Sequence, residues 1–209
     1  MTYTHGRIVH DADSHVMETR EWLEGFLADE QAELGRGLLG KELGRIDRLI
    51  DEARKRKSDP EADAQAATNP ISGTKGWGAY GAFDPAERSK ALDDMGFSRQ
   101  LVFPTAGLRP VHESKEEEPR YVAARAYNRA IAAFCGQDTR LVAVGYAPLD
   151  NPERAAEEAR YAIEIGAARS WSRPALPVIV RRGIRSSIRS GPCSASATSR
   201  SCCTSAPAR

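Results

Sequence analysis

The sequence predicts an α/β fold, and three observations carry that prediction. From Asp84 onward, apolar runs of strand length alternate in strict order with amphipathic helical patterns. The helical patterns are punctuated at both ends, by an acid or amide before proline at the start and by glycine at the stop. Near the N-terminus a short apolar run leads straight into a cluster of acids and imidazoles, as happens where a strand delivers its end to a site. Strand, helix, strand, helix in that order builds a parallel sheet with right-handed crossovers.

Taken in order, the first element is the strand that opens Ile8 to Glu18, Ile-Val-His-Asp-Ala-Asp-Ser-His-Val-Met-Glu. Glu21 to Ala28 places Trp22, Leu23, Phe26 and Leu27 at helical spacing, and Gln31 to Lys57 does the same with Leu34, Leu38, Leu39, Leu43, Ile46, Leu49 and Ile50. That second pattern ends in Arg54-Lys55-Arg56-Lys57, read as complementing the negative end of a helix dipole in preference to a nucleic-acid patch. Ser58 to Phe83, rich in Ala, Gly, Pro, Asn and Thr, reads as a long loop, with Trp77 and Tyr80 either a lid over a pocket or simply packed. Asp84-Pro85 then starts a helix that runs to Met95 and stops at Gly96. Gln100 to Phe103 is a short buried strand, and Ala106 to Glu118 is a polar loop containing His112, read as a surface histidine. Pro119 to Cys135 is a helix with Ala123, Tyr127, Ala130 and Phe134 inward, ended by Gly136. Leu141 to Tyr146 is the next strand. Asn151-Pro152 opens a last helix with inner stripe Ala155, Ala159, Ala162 and Ile163 and a stop at Gly166.

The chemistry sits in the first element. Asp11, Asp13 and His15 occupy alternate positions, and alternate side chains of an extended chain share a face, so three metal-capable groups are expected to converge. Asp13 and His15 offer one oxygen and one imidazole nitrogen, which suits Zn²⁺, Mn²⁺ or Fe²⁺ better than Ca²⁺ or Mg²⁺. Glu18 is a ligand, an anchor for a ligand or an ordinary surface acid. The bland alternative for the whole segment is a polar turn after an edge strand.

The segment Asp11-Ala12-Asp13-Ser14-His15-Val16-Met17-Glu18 resembles the opening of the amidohydrolase superfamily, in the branch that includes aminocarboxymuconate-semialdehyde decarboxylase. Later blocks are similar too: Ala91 to Gly96 with Leu101 to Thr105, then Tyr127-Asn128-Arg129, then Leu141 to Leu149 and Asn151-Pro152-Glu153. The resemblance covers most of residues 8 to 168. It implies an incomplete (β/α)8 TIM barrel of about the first four β/α units, with a helical insertion, residues 31 to 83, after the first strand. It also implies a site at the C-terminal ends of the strands, with Asp13 and His15 as the first two ligands of a divalent metal, Zn²⁺ or Mn²⁺ foremost. The activity implied is hydrolysis or non-oxidative decarboxylation of a small carboxylate substrate. A homo-oligomer is open to an intact member. A non-catalytic fragment or regulator built on the same fold is the alternative. At 209 residues the chain is short of the roughly 250 that a complete barrel takes.

Composition adds limits and one break. A net charge of +1 and a hydrophobic fraction of 41% give no bias toward nucleic acid or membrane. No signal-peptide pattern precedes the motif, so a cytoplasmic location is the expectation. Cys135 stands alone in a helical pattern, and Cys193, Cys202 and Cys203 show no zinc-ligand spacing. The break falls near Ala168: residues 1 to 168 hold all 29 acidic residues, whereas residues 169 to 209 hold ten Ser, eight Arg and no acid.

That tail reads as the product of a shifted reading frame, a disordered basic tail being the other reading. A one-base shift joins the third base of each codon to the first two of the next. Some of the outcome is forced by the genetic code: Cys202-Cys203 must then yield Leu, and Cys203-Thr204 must yield His or Tyr. The shifted tail decodes toward a Pro-Val-x-Leu-His strand, where the resembled family places a further metal-binding histidine. In the chain as written that histidine is absent.

Overall fold

The computed structural model describes residues 2–19, 21–22, 25–27, 43–68, 73–106, 108 and 114–167. All lie within the compact unit Met1–Ile179. The tail from residue 169, His112, and the first part of the expected Gln31 to Lys57 helix fall outside the described residues. The elements are β1 (His10–His15), α1 (Leu43–Ser58), α2 (Pro60–Ala67), a 3₁₀ turn at Gly76–Gly78, α3 (Pro85–Met95), β2 (Arg99–Phe103), α4 (Glu117–Cys135), β3 (Leu141–Ala143) and α5 (Pro152–Glu164). The strands form one parallel sheet in the order β1-β2-β3. The fold is therefore mixed α/β, with sequential parallel strands joined through helices.

Helix α3 shows how local chemistry builds this arrangement. The Asp84 carboxylate accepts from the Ala86 and Glu87 amides, and Pro85 follows at the first helical position, where its missing N–H costs nothing. At the other end Gly96 adopts φ 77°, and a Cβ there would lie 2.5 Å from Thr4 Oγ1, so only glycine fits. The helix starts beside the exit of β1, where Met17 N–H donates to Ala82 O (2.9 Å), and ends beside its entry, where Thr4 N–H donates to Met95 O (3.2 Å). It thus runs antiparallel to β1 and hands the chain back to the foot of the sheet for β2.

On β2, Gln100 and Val102 are buried while Arg99, Leu101 and Phe103 are more open. The buried face packs under the helices: Val16, Leu92, Val102, Tyr127, Ile131, Phe134 and Leu141 share one core with Ile46 and Ile50 of α1. Each fully buried aliphatic chain in it contributes about 1.5–3 kcal/mol. Ser14 pairs with Val102 on this buried face, and His15 pairs with Phe103 on the open one.

Several sequence expectations are corrected here. The first strand is the motif itself, not the apolar residues before it: Ile8 is 82% exposed. Of Glu21 to Ala28, Glu21 and Trp22 are helical as expected, while Gly25–Leu27 form a turn, with Trp22, Phe26 and Leu27 against the core. The Ser58 to Phe83 loop contains α2, started by Asp59 and Pro60 in the manner of α3. β3 ends at Ala143 because Asn128 of α4 takes the backbone of Tyr146, its Nδ2 donating to the carbonyl (2.8 Å) and its Oδ1 accepting from the amide (2.7 Å). Tyr127 Oη and Tyr121 Oη hold Val144 O and Pro148 O in the same way (2.8 and 2.9 Å). On α5, Ile163 is 49% exposed and Glu158 is buried instead, held by Arg125 Nε (2.9 Å) and Asn128 Nδ2 (2.8 Å).

No helix among the described residues is long and apolar enough to cross a membrane. The basic end of α1 is bound inward: Arg56 pairs with Asp63 (3.3 Å) and Glu87 (2.7 Å), and Lys57 with Asp84.

Candidate metal centre

The site is built on a bulge. Between Asp11 and Ser14 the pairing advances three residues on β1 but only two on β2, from Gln100 to Val102, so one extra residue is accommodated at Ala12–Asp13. A bulge reverses the alternation of side chains beyond it. Asp11 therefore shares the buried face with Ser14, and the expected convergence of Asp11 with Asp13 and His15 does not occur. Both Asp11 oxygens are engaged elsewhere: Oδ1 accepts from the Asp13 amide (3.0 Å) and Oδ2 from Gln100 Nε2 (3.1 Å).

Asp13 and His15 do meet. His15 Nε2 lies 3.5 Å from Asp13 Oδ1, with the Asp13 side chain 91% and the His15 side chain 42% exposed. The other ring nitrogen, Nδ1, donates to Pro104 O at 2.8 Å. A carbonyl only accepts, so Nδ1 carries a proton, and Nε2 is the ring nitrogen turned toward the Asp13 carboxylate. Metal-binding histidines are oriented by this kind of contact. The ring is further flanked by Phe103, with centroids 5.9 Å apart.

Glu18 is the anchor among its three readings. It is 1% exposed, and its two oxygens accept from the Thr105 and Ala106 amides, each at 2.9 Å. Its carbonyl accepts from Trp77 Nε1 (2.9 Å). Glu18 thus fixes the loop after β2, and that loop supplies the Pro104 carbonyl that aims His15. Trp77 is packed by this bond, and Tyr80, 8% exposed, lies under the Arg56 guanidinium 5.4 Å from its ring centroid; neither forms a lid.

Two ligands of one tetrahedral zinc ion, each about 2.0–2.1 Å from it, stand about 3.3 Å apart. The Asp13–His15 separation fits that edge. Among the described residues no group of three His, Cys, Asp or Glu side chains gathers anywhere. The pair fits half of a metal centre and no more. A cleft of about 610 Å³ opens where the residues following β1 meet the start of α3; Thr19, Trp22, Arg54, Lys57, Phe83 and Asp84 line it, and neither Asp13 nor His15 does. Cys135, at the end of α4, is a buried thiol pushed up to about 12 by that burial and takes no part.

Sequence reasoning missed Arg88. It is 6% exposed and donates to Gly81 O (2.5 Å), Ser14 Oγ (2.6 Å) and His15 O (2.7 Å). Burial holds its pKa below the ordinary arginine value. The available signal was its place in the inner stripe of α3 with Ala91, Leu92 and Met95, where an arginine has no apolar reason to be.

No family model matches this chain, and no curated protein matches it either.

Proposed function

We propose that the chain carries the first part of a metal-dependent enzyme site, in a protein that hydrolyses or non-oxidatively decarboxylates a small carboxylate substrate on an incomplete (β/α)8 barrel. The observation that carries the reading is the aimed pair. His15, pinned through Nδ1 to Pro104 O, turns Nε2 toward Asp13 at the C-terminal end of a parallel strand, which is the end where such barrels keep their sites. The resemblance of residues 8 to 168 to the amidohydrolase branch supports it from the sequence side.

Asp13 and His15 would hold a divalent ion, Zn²⁺ or Mn²⁺, which when bound supplies Lewis acidity toward a substrate oxygen or water. Glu18 keeps the β2 loop in place and Pro104 O keeps the imidazole turned. Phe103 shields one side of the ring from water.

A second reading, a barrel fragment with a non-catalytic role, is favoured by the lack of a third ligating side chain among the described residues. The two readings part at the gene. If residues 169 to 209 are a frame-shifted stretch, the nucleotides after the Ala168 codon read in the shifted frame stay open past Arg209. They then supply a histidine overlapping Thr204 and a later aspartate. An immediate stop codon in that frame removes the enzyme reading of the missing ligands. In the frame-restored protein, release of CO₂ from an acid substrate against release of an amine from an amide separates decarboxylation from hydrolysis.

A further inference from the structure

A polar chain, buried at Ser14, Arg88 and Gln100 and more open at Asp11, runs beneath the β1 bulge from one side of it to the other. Asp11 Oδ1 accepts from the Asp13 amide, and Asp11 Oδ2 accepts from Gln100 Nε2. The Gln100 Oε1 faces Arg88 Nη1 at 3.4 Å; the same Nη1 donates to Ser14 Oγ at 2.6 Å, and Nη2 donates to His15 O at 2.7 Å. The Asp13 amide and the His15 carbonyl, one from each candidate ligand, are therefore the two ends of one connected set of hydrogen bonds.

This set lies where a sheet packs against a helix, an interface normally filled by aliphatic side chains. Ser14, Arg88 and Gln100 are 7%, 6% and 3% exposed. Placing a guanidinium there costs desolvation that well-packed apolar residues would avoid. Among the described residues Arg88 makes no ion pair with a carboxylate, and Asp11 is linked to it through Gln100. The geometry of the donors accounts for the choice. The planar fork of Arg88 reaches a backbone carbonyl of β1, a side chain of β1 and the carbonyls of Gly81 and Ala82 at once, which a lysine cannot do. Asp11, by accepting the Asp13 amide, closes the extra residue of the bulge.

We propose that Arg88, Gln100 and Asp11 are positioning residues: they hold the bulge in the one backbone shape that sets the Asp13 carboxylate beside His15 Nε2. The ligands stand on the open face, and the groups that aim them stand on the opposite, buried face. The metal part of this inference rests on the functional reading above; the aiming of the imidazole does not. Groups that orient metal ligands typically change affinity about tenfold to a hundredfold when altered.

The test uses the full chain labelled with ¹⁵N, with the His15 ring nitrogens identified by their loss in His15→Gln. Arg88→Lys keeps the charge and loses the fork; Gln100→Leu keeps the volume and breaks the link to Asp11. In the unaltered protein without metal, His15 shows the Nδ1–H tautomer, and added Zn²⁺ shifts Nε2. In both variants the tautomer preference falls toward the mixture of a free imidazole. The Zn²⁺ concentration for half-shift rises about tenfold or more, while the melting transition stays cooperative. If both variants fold and keep the His15 tautomer and the Zn²⁺ response of the unaltered chain, the positioning role is wrong. If the variants lose the tautomer but Zn²⁺ shifts nothing even in the unaltered chain, positioning stands and the metal reading falls.

Discussion

Residues 54–68, the end of α1 with α2, and residues 84–167 use the same helix-start signature and are held by different forces. Asp59-Pro60, Asp84-Pro85 and Asn151-Pro152 each place an oxygen acceptor before proline, and each side chain accepts from two amides of its first turn. Beyond that point they diverge. Helices α3, α4 and α5 bury side chains against the sheet or one another, whereas α2 buries none. The segment containing α2 is attached mainly by charge, through Arg56 to Asp63 and Glu87, Lys57 to Asp84 and Lys90 to Asp63, with Ala66 and Ala67 partly buried against Tyr80, Ala91 and Met95. A cap starts a helix, but burial keeps it, and where burial is missing ion pairs take over at smaller and salt-dependent gain.

The sharpest way to break this contrast lies in the sheet-bound part. Replacing Asn128 by Leu leaves the Tyr146 amide and carbonyl and one Glu158 oxygen without their buried partner, and is expected to cost about 3 kcal/mol or more in urea unfolding. A loss below about 1 kcal/mol would mean that the loop after β3 is held by something else. In the charge-bound part, Arg56→Met should cost less, about 2 kcal/mol, by leaving the buried Glu87 carboxylate to the Gly81 amide. Arg54→Ala, whose partners stand at 3.7 and 3.9 Å on the surface, should fall within about 0.5 kcal/mol of the unaltered chain.

The caps sharpen the comparison further. Asp84→Ala should lower global stability by about 1 kcal/mol. Asp59→Ala should instead speed amide exchange only at Glu61, Ala62 and their neighbours, because α2 can open without uncovering the core. Equal global losses for the two would show α2 to be part of the cooperative unit.

The smallest effect is in acid. The Arg140 guanidinium, hydrogen-bonded to Asp138, holds that carboxyl down at about 2. A carboxyl depressed in the folded state stabilises above its ordinary value and loses that contribution as pH falls through the depressed one. Between about pH 4 and pH 2 the unaltered chain should therefore lose stability more steeply than Asp138→Asn, as read from melting temperatures across that range. Parallel curves would remove the pair from the acid response.

Much of the sheet-bound part was legible because its signals are local. Asp84-Pro85 and Gly96 bracket α3 within thirteen residues, and an inner stripe marks α4 and α5. The α2 helix went unread since Pro-Glu-Ala-Asp-Ala-Gln-Ala-Ala has caps and propensity but no apolar face to reveal it. Glu158 was unreadable for the opposite reason: its burial depends on Asn128, 30 residues away. The candidate site was legible in its residue types and misread in its geometry. Nothing local announces a bulge at Ala12–Asp13, which exists through Gln100, Arg88 and a partner strand, so simple alternation wrongly joined Asp11 to the pair.

The central claim is that Asp13 and His15 begin a metal site completed by residues encoded in the shifted frame proposed after Ala168. It is tested most directly by metal content after dialysis of the frame-restored protein, beside the chain as written and beside Asp13→Ala and His15→Ala. About one tightly held Zn²⁺ or Mn²⁺ per restored chain, absent from both variants and held only weakly by the chain as written, is the predicted result. Metal retained undiminished in both variants, or none in the restored protein, would contradict it.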